Sequence, residues 1–467
     1  MCGSMGGCGW NSWFGRELSA GGDYPLGCMA DSSPSDRSRS SREDALAVLV
    51  QLRSAGFVAY FAGGCVRDRL LGLEPKDFDI ATDATPRQVQ RLFRKTQPVG
   101  AAFGVILVRR QRSVIEVATF RSDDRYLDGR HPSGVRFATP QEDARRRDFT
   151  INGLFYDPLE DRIIDFVDGQ ADLSARRLRA IGQADERFSE DHLRLLRAVR
   201  FAARFGLSIE PDTAAAIARH AGALVRISPE RIAEELRLIL TPTTRAAAWP
   251  MLWEFGLLEP IHRFAPPPAM EARKPDLARS IFLALSPGEA IGFPLALAAA
   301  TLDYQAQHLP ADADPRPLLD DKFVRLSVRA ARKALKISND ESARMGAILG
   351  GVGRLLGDVP PTPAQLKRFH AHSTAREAIR LLLALEQIGV QAGRTAWLKD
   401  RFAELALVDC APAPLVDGND LLAAGLPAGP QFKRILHEVY DAQLENRVQS
   451  RQEAMKMALR LAGRNSG

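Results

Sequence analysis

Two acids separated by one residue, Asp77 and Asp79, stand in the segment KDFDIAT, shortly after the pair Gly63-Gly64 and Arg67 in YFAGGCVRD. Side chains at i and i+2 of a strand face the same way, so Phe78 turns to the core and both carboxylates turn outward together. Paired carboxylates of this kind hold a divalent cation, and Mg²⁺ takes one or two of them plus substrate phosphates. The glycine pair lets backbone approach a phosphate closely and places N–H groups at the start of the next helix. Arg67 can add a charge-assisted contact there. A third acid, Glu116, interrupts the apolar strand VIEVAT, where a charge is unfavourable unless paired or metal-bound. It joins the set if its strand neighbours that of Asp77 and Asp79; otherwise it is an exposed edge acid. The chemistry such a set supports is metal-assisted nucleotidyl transfer.

The elements that must position these residues are legible in outline. The pattern predicts a helix over 42–55, where Leu46, Leu49, Val50 and Arg53 recur at helical spacing, and a strand over 57–62. A helical turn and the strand carrying both acids follow. Thr85 and Pro86 are suited to cap and open a helix over 86–93. Strands are expected over 104–108 and 114–120, and a polar loop over 121–139. The segment 143–157, DARRRDFTINGLFYD, reads as a strand or turn leading to a buried run. From 185 the pattern is helical, with Ser189 capping 190–205, Gly206 ending it, and Ser228 capping 229–240. Beyond about 245 only helices are expected, separated by the proline-rich joints 265–268, 309–317 and 358–363.

A chain of 467 residues exceeds one ordinary core, so two to four domains are expected. No apolar run approaches the ~20 residues of a membrane span. The net charge of +6 is a mild excess that suits a polyanionic partner. The five cysteines are scattered without a CxxC pair, which indicates neither zinc nor a disulfide framework and fits a reducing, cytoplasmic setting. Residues 1–42, rich in Gly and Ser, are expected to be disordered. They lack the apolar run of a signal peptide, and a start at Met29 would remove nothing structural.

Taken in order, GGCVRD, DFD, IEVATFR, RRRDFTIN, EDHLRLLRAVRFAARF and ISPERIAEEL resemble the class II tRNA nucleotidyltransferase and poly(A) polymerase family. The resemblance covers about 43–240 and returns at 418–454. It implies an α+β protein in which a polymerase-β-like nucleotidyltransferase head with a small mixed sheet precedes an all-helical neck, body and tail. The expected divisions are an extension over 1–42, the head over 43–180, the neck over 181–245, the body over 246–410 and a tRNA-binding tail over 411–467.

Carried over residue by residue, the resemblance places metal ligands at Asp77 and Asp79 and the third carboxylate at Glu116. Phosphate contacts fall on Gly63, Gly64 and Arg67, and ribose and triphosphate contacts on Arg147, Asp148 and Asn152. Asp191 and Arg194 become the base-reading pair, with Arg197 and Arg200 also lining the nucleotide site. The implied reaction is two-metal, Mg²⁺-dependent addition of C, C and A to tRNA from CTP and ATP, with release of pyrophosphate.

Hydrogen-bond chemistry agrees with the base-reading assignment. Asp191 can accept from an exocyclic amino group while Arg194 donates to the neighbouring ring acceptor, a pattern that cytosine and adenine share and that uracil and guanine reverse. The alternative is an i,i+3 salt bridge on a helix surface. On a regular helix Arg197 is better placed than Arg200 to reach the nucleotide, since successive i,i+3 steps lag by about 60°. The segment VGAAFGVILV replaces the Gly-Arg-Arg-Phe type element of the poly(A) polymerases, and an intact 120–137 loop favours terminal A addition. Addition of A alone, poly(A) synthesis and an inert RNA-binding relative remain the alternatives. His370 and His372 are isolated, and no added phosphohydrolase site is expected.

Overall fold

The structure, a computed structural model, describes residues 34–99, 104–111, 113–123, 135–262, 275–285, 287–310 and 313–463. The first helix, α1 (Pro34–Ser54), begins eight residues before the expected start, so 34–42 are helical where disorder was expected. Its residues Ala45, Val48, Leu49 and Leu52 are buried, an i, i+3, i+4, i+7 stripe that docks the helix on the sheet.

Next come β1 (Ala59–Ala62), α2 (Gly64–Leu70), β2 (Ile80–Thr82) and α3 (Pro86–Leu92). The strands β3 (Thr96–Pro98), β4 (Val105–Arg109), β5 (Val114–Thr119), β6 (Arg121–Asp123) and β7 (Val135–Phe137) follow, then α4 (Pro140–Arg145), β8 (Leu154–Asp157) and β9 (Arg162–Asp165). One seven-stranded sheet has the order β3-β4-β5-β2-β1-β8-β9. Only the β2/β5 pair among these is parallel, and it lies at the centre. The ends of the expected 121–139 loop instead pair as the β6/β7 hairpin, while 124–134 lie outside the described residues.

The helices α5 (Gly169–Ser174), α6 (Ala184–Glu190), α7 (Arg194–Phe205), α8 (Pro211–His220) and α9 (Pro229–Leu240) lead away from the head. The expected single helix over 190–205 is two helices: Ser189 lies inside α6, and Asp191 sits in the break before α7. Gly206 closes α7 in the left-handed region, φ 61°, as expected. The remainder is helical, and most of its apolar side chains join those of the head in one buried cluster. The C-terminal helices Gly418–Ala423, Pro430–Leu444 and Arg451–Leu461 enclose a separate apolar cluster of their own. No described helix is long and apolar enough to cross a membrane.

Candidate active site

The acids lie just ahead of β2, one step earlier than a strand carrying them would predict. Regular pairing starts at Ile80, yet the Asp79 carbonyl still accepts the Ala62 N–H at 3.0 Å, so the segment is extended and alternation holds. Phe78 is buried against Phe61, ring centres 5.5 Å apart, while Asp77 and Asp79 are open to solvent. Burying that ring contributes about 1.5–3 kcal/mol and pins the register of both carboxylates.

Glu116 reaches them through topology. The parallel ladder pairs Ile80 with Val117; carried back one residue, the same register sets Asp79 beside Glu116. Asp79 feels the other two charges. Asp79 is pushed up to about 6, first by lost hydration in the cleft, then by Glu116 and Asp77, with Arg147 opposing. Glu116 is also raised, by loss of hydration. Among the described residues no group of three or more His, Cys, Asp or Glu is arranged to hold a metal ion by itself. Asp79, with Asp77 and Glu116 near enough to raise it, nevertheless offers carboxylates of the kind Mg²⁺ takes one or two of, its shell being completed by water and substrate phosphates.

The Gly63-Gly64 turn explains its own composition. Gly63 has φ 66° and ψ −114°, a region that L side chains rarely adopt, and a Cβ there would stand 2.8 Å from an Arg147 Nη atom. Its N–H is already donated to the Leu154 carbonyl at 2.9 Å, so Gly63 shapes the turn and leaves phosphate binding to other groups. Arg67 departs further from expectation. It is buried, its fork donates to Asp68 at 2.6 and 2.8 Å and to Asn152 at 2.5 Å, and its plane lies over Phe205. It is an internal tie between α2 and the 152 turn, with no free face for a phosphate.

Arg147 remains beside the acids. Its Nε and Nη2 donate to Asp143 at 3.2 and 2.9 Å, and Nη1 donates to the Asn152 carbonyl at 3.1 Å. Asp143 is buried and also accepts from Arg146 at 2.9 Å. Burial would raise its carboxyl, but Arg147 and Arg146 prevail and hold it below the usual range. Sequence reasoning passed over Asp143. Its signal was the i,i+4 spacing to Arg147 from a short helix with a Thr139 capping box.

Asp148 accepts from the Phe149 N–H, the Asn152 amide and both Nε and Nη2 of Arg197, at 2.8–2.9 Å. Burial works against its charge, yet Arg197 and Asn152 hold it down at about 2. A carboxylate has about four lone-pair sites, and all are occupied. Asp148 and Asn152 thus organise the wall of the cleft, and a ribose hydroxyl would have to displace one of these contacts.

Asp191 and Arg194 do not pair with each other. Asp191 accepts the Leu193 N–H at 3.0 Å and Arg231 of α9 at 2.7 Å, while Arg194 donates to Glu190 at 2.6 Å. The i,i+3 salt bridge is therefore absent, and the break before α7 removes the regular-helix angle between the two. Arg200 donates to Glu235 of α9 at 2.5 Å and lies over Phe201, so it braces α7 against α9. Arg231 and Glu235, an i,i+4 pair in ERIAEE, were missed because their partners come from another helix.

A mixed sheet that presents acids from a central strand beside a Gly-Gly turn and a pinned arginine defines a nucleotidyltransferase head. Residues 59–179 match the family model described as "Poly A polymerase head domain", and 206–267 match "Probable RNA and SrmB- binding site of polymerase A". The chain is 34% identical to a CCA-adding enzyme of Geobacillus kaustophilus over 432 residues, covering 88% of this chain and 95% of the relative. It is 42% identical to Escherichia coli poly(A) polymerase I over 230 residues, covering 47% of this chain and 50% of that protein. The crystal structure of the Bacillus stearothermophilus CCA-adding enzyme in complex with CTP superposes with a TM-score of 0.66 at 30% identity, covering 90% of this chain and 98% of that one. The Thermotoga maritima CCA-adding enzyme complexed with tRNA shares the fold, with a TM-score of 0.60 at 19% identity and coverage of 91% and 98%. The chain belongs to the class II tRNA nucleotidyltransferase and poly(A) polymerase family, and it is a nucleotidyltransferase.

Proposed function

We propose that the protein completes the 3′ end of tRNA, adding C, C and A from CTP and ATP with release of pyrophosphate. The observation that carries this over poly(A) synthesis is reach: the likeness to the Geobacillus kaustophilus CCA-adding enzyme runs along 95% of that relative, whereas that to Escherichia coli poly(A) polymerase I spans 50% of its length. Asp77 and Asp79, with Glu116 as third carboxylate, would hold Mg²⁺, which when bound supplies positive charge at the attacking 3′-oxygen and the leaving phosphates.

The protein's own groups then position and discriminate. Gly63 shapes the turn at the triphosphate, and Arg147 puts a fixed positive charge beside Asp79. Asp148 and Asn152 hold Arg197 and Arg67 so that the cleft keeps its form. Asp191 retains acceptor capacity after its two contacts and can take the exocyclic amino group of cytosine or adenine without releasing Arg231. Arg194 can reach the ring acceptor with Nη2, whose present contact to the Arg146 carbonyl is weak at 3.4 Å. A uracil or guanine would face both groups with the wrong partner, and the penalty for leaving a polar site unsatisfied is large.

The test uses tRNA transcripts lacking the whole CCA end, lacking CA, or lacking only A, each with labelled CTP or ATP. Stepwise C, C and A incorporation is expected. Incorporation of A alone, or extension of oligo(A) with tRNA left unchanged, would overturn the reading.

A further inference from the structure

The break between α6 and α7 is held from two sides, and only one of them has entered the account of the cleft. Asp191 is extended, φ −148° and ψ 103°, so its side chain and that of His192 leave the backbone in opposite directions. Asp191 turns toward α9, where Arg231 donates to it at 2.7 Å. His192 turns the other way and is 5% exposed. Its ring lies against His220, the last residue of α8, with centres 6.2 Å apart and planes 29° from parallel. His220 is itself fixed to α6: its Nε2 lies 3.0 Å from Asp185, and its ring centre 6.4 Å from that of Phe188.

The site takes a flat, uncharged ring. Nδ1 of His192 is buried and has no hydrogen-bond partner among the described residues. A neutral imidazole bears that at modest cost, whereas a cation would bury an unpaired N–H and a charge with it. The charged and titratable groups that face the ring are Arg226 from the turn after α8, His220 from α8 itself, and Asp191 from its own segment. Burial first, then Arg226 and His220, prevail over Asp191 and hold the ring below the ordinary histidine value. The neighbour of the proposed base reader is thus a packing wedge rather than a donor.

We propose that His192 is a positioning residue for base selection: seated against His220, it fixes the break from behind so that Asp191 meets the incoming base from the place Arg231 sets in front. The proposal rests on the function given above, in which Asp191 accepts from the amino group of cytosine or adenine. A site rejects the wrong base because its polar groups are then left unsatisfied. That penalty holds only while the carboxylate cannot turn aside. With the wedge removed, Asp191 is free to swing away from a uracil or guanine carbonyl, and the wrong base is tolerated. A histidine that served stability alone would act differently: its loss would slow the right and wrong nucleotides alike.

The experiment uses the full-length wild type, His192→Ala, His192→Phe and His220→Ala. For each, kcat/KM is measured for CTP against UTP on tRNA lacking CCA, and for ATP against GTP on tRNA lacking only A, together with the thermal midpoint. His192→Ala should narrow both ratios by about tenfold, mainly because UTP and GTP improve relative to their competitors. His192→Phe keeps the flat ring and should hold both ratios within about threefold of wild type, since a replacement of similar volume disturbs a packed site little. His220→Ala removes the surface on which the wedge rests and should narrow the ratios in the same direction. Unchanged ratios in a folded His192→Ala protein would overturn the proposal, as would a His192→Phe protein that loses as much as His192→Ala. Should His192→Ala not fold, His220→Ala decides, and unchanged ratios there overturn it. A wild type that adds A but no C would refute the function proposed above, while its ATP-over-GTP ratio would still test His192.

Discussion

Gly63→Ala tests whether the turn, rather than the charges alone, sets the active site. The substitution acts twice. It forces a Cβ residue into φ 66° and ψ −114°, a strain of about 1–3 kcal/mol. It also brings that Cβ to 2.8 Å from Arg147 Nη1. A free arginine tip would move aside at little cost. This one is held by two bonds to Asp143, one to the Asn152 carbonyl, and the Phe155 ring 5.0 Å away. Losing one charge-assisted bond adds about 1.5–3 kcal/mol, so the combined effect is about 2.5–6 kcal/mol, divided between stability and transition-state binding. The assay is urea unfolding together with kcat/KM for CMP incorporation, where a displaced Arg147 should lower kcat/KM by about 10²-fold. A cycle with Arg147→Ala separates the two terms: the clash vanishes in that background while the backbone strain persists, so the Gly63→Ala effect should shrink by about half without disappearing. An undiminished effect would refute the contact argument, and a Gly63→Ala protein with wild-type unfolding midpoint and turnover would refute both.

Asp79→Asn should abolish incorporation while leaving the thermal midpoint equal or higher, because the change removes a charge disfavoured first by lost hydration and then by Glu116 and Asp77; retained turnover in the folded variant would sink the site assignment. Arg231→Met should free Asp191 and narrow the preference for CTP over UTP by at least about tenfold, measured as a ratio of kcat/KM; an unchanged ratio would show that Asp191 needs no brace. Asp148 gives a pH signature. Its folded pKa of about 2 lies below the ordinary aspartate value, so its contribution is present above about pH 4 and is lost as pH falls toward 2, on the order of 2 kcal/mol. Arg197→Met should remove that component from the acid limb of the unfolding curve, and an identical limb in the variant would count against the pairing as its cause.

What the chain by itself determined follows from short-range rules. Alternation put Phe78 inward and Asp77 and Asp79 outward, since the period of an extended backbone is two wherever the strand formally begins. Gly63 marked a conformation that L side chains avoid, and helical periodicity placed α1, α3 and α9 to within a few residues, apart from the early start of α1. Tertiary structure decided the rest. Glu116 joins Asp79 only because β5 lies parallel to β2, a pairing set by a crossover of more than thirty residues. Arg67 looked available for a phosphate, but burial beneath Phe205 and beside Asp68 turned its fork inward. Asp191 left the helix that periodicity had drawn through it, because Arg231 holds it from α9 and its own side chain accepts the Leu193 N–H. Local sequence sets the direction of a side chain from its own backbone; which charge it meets depends on residues tens of positions away, brought there by packing of the common core.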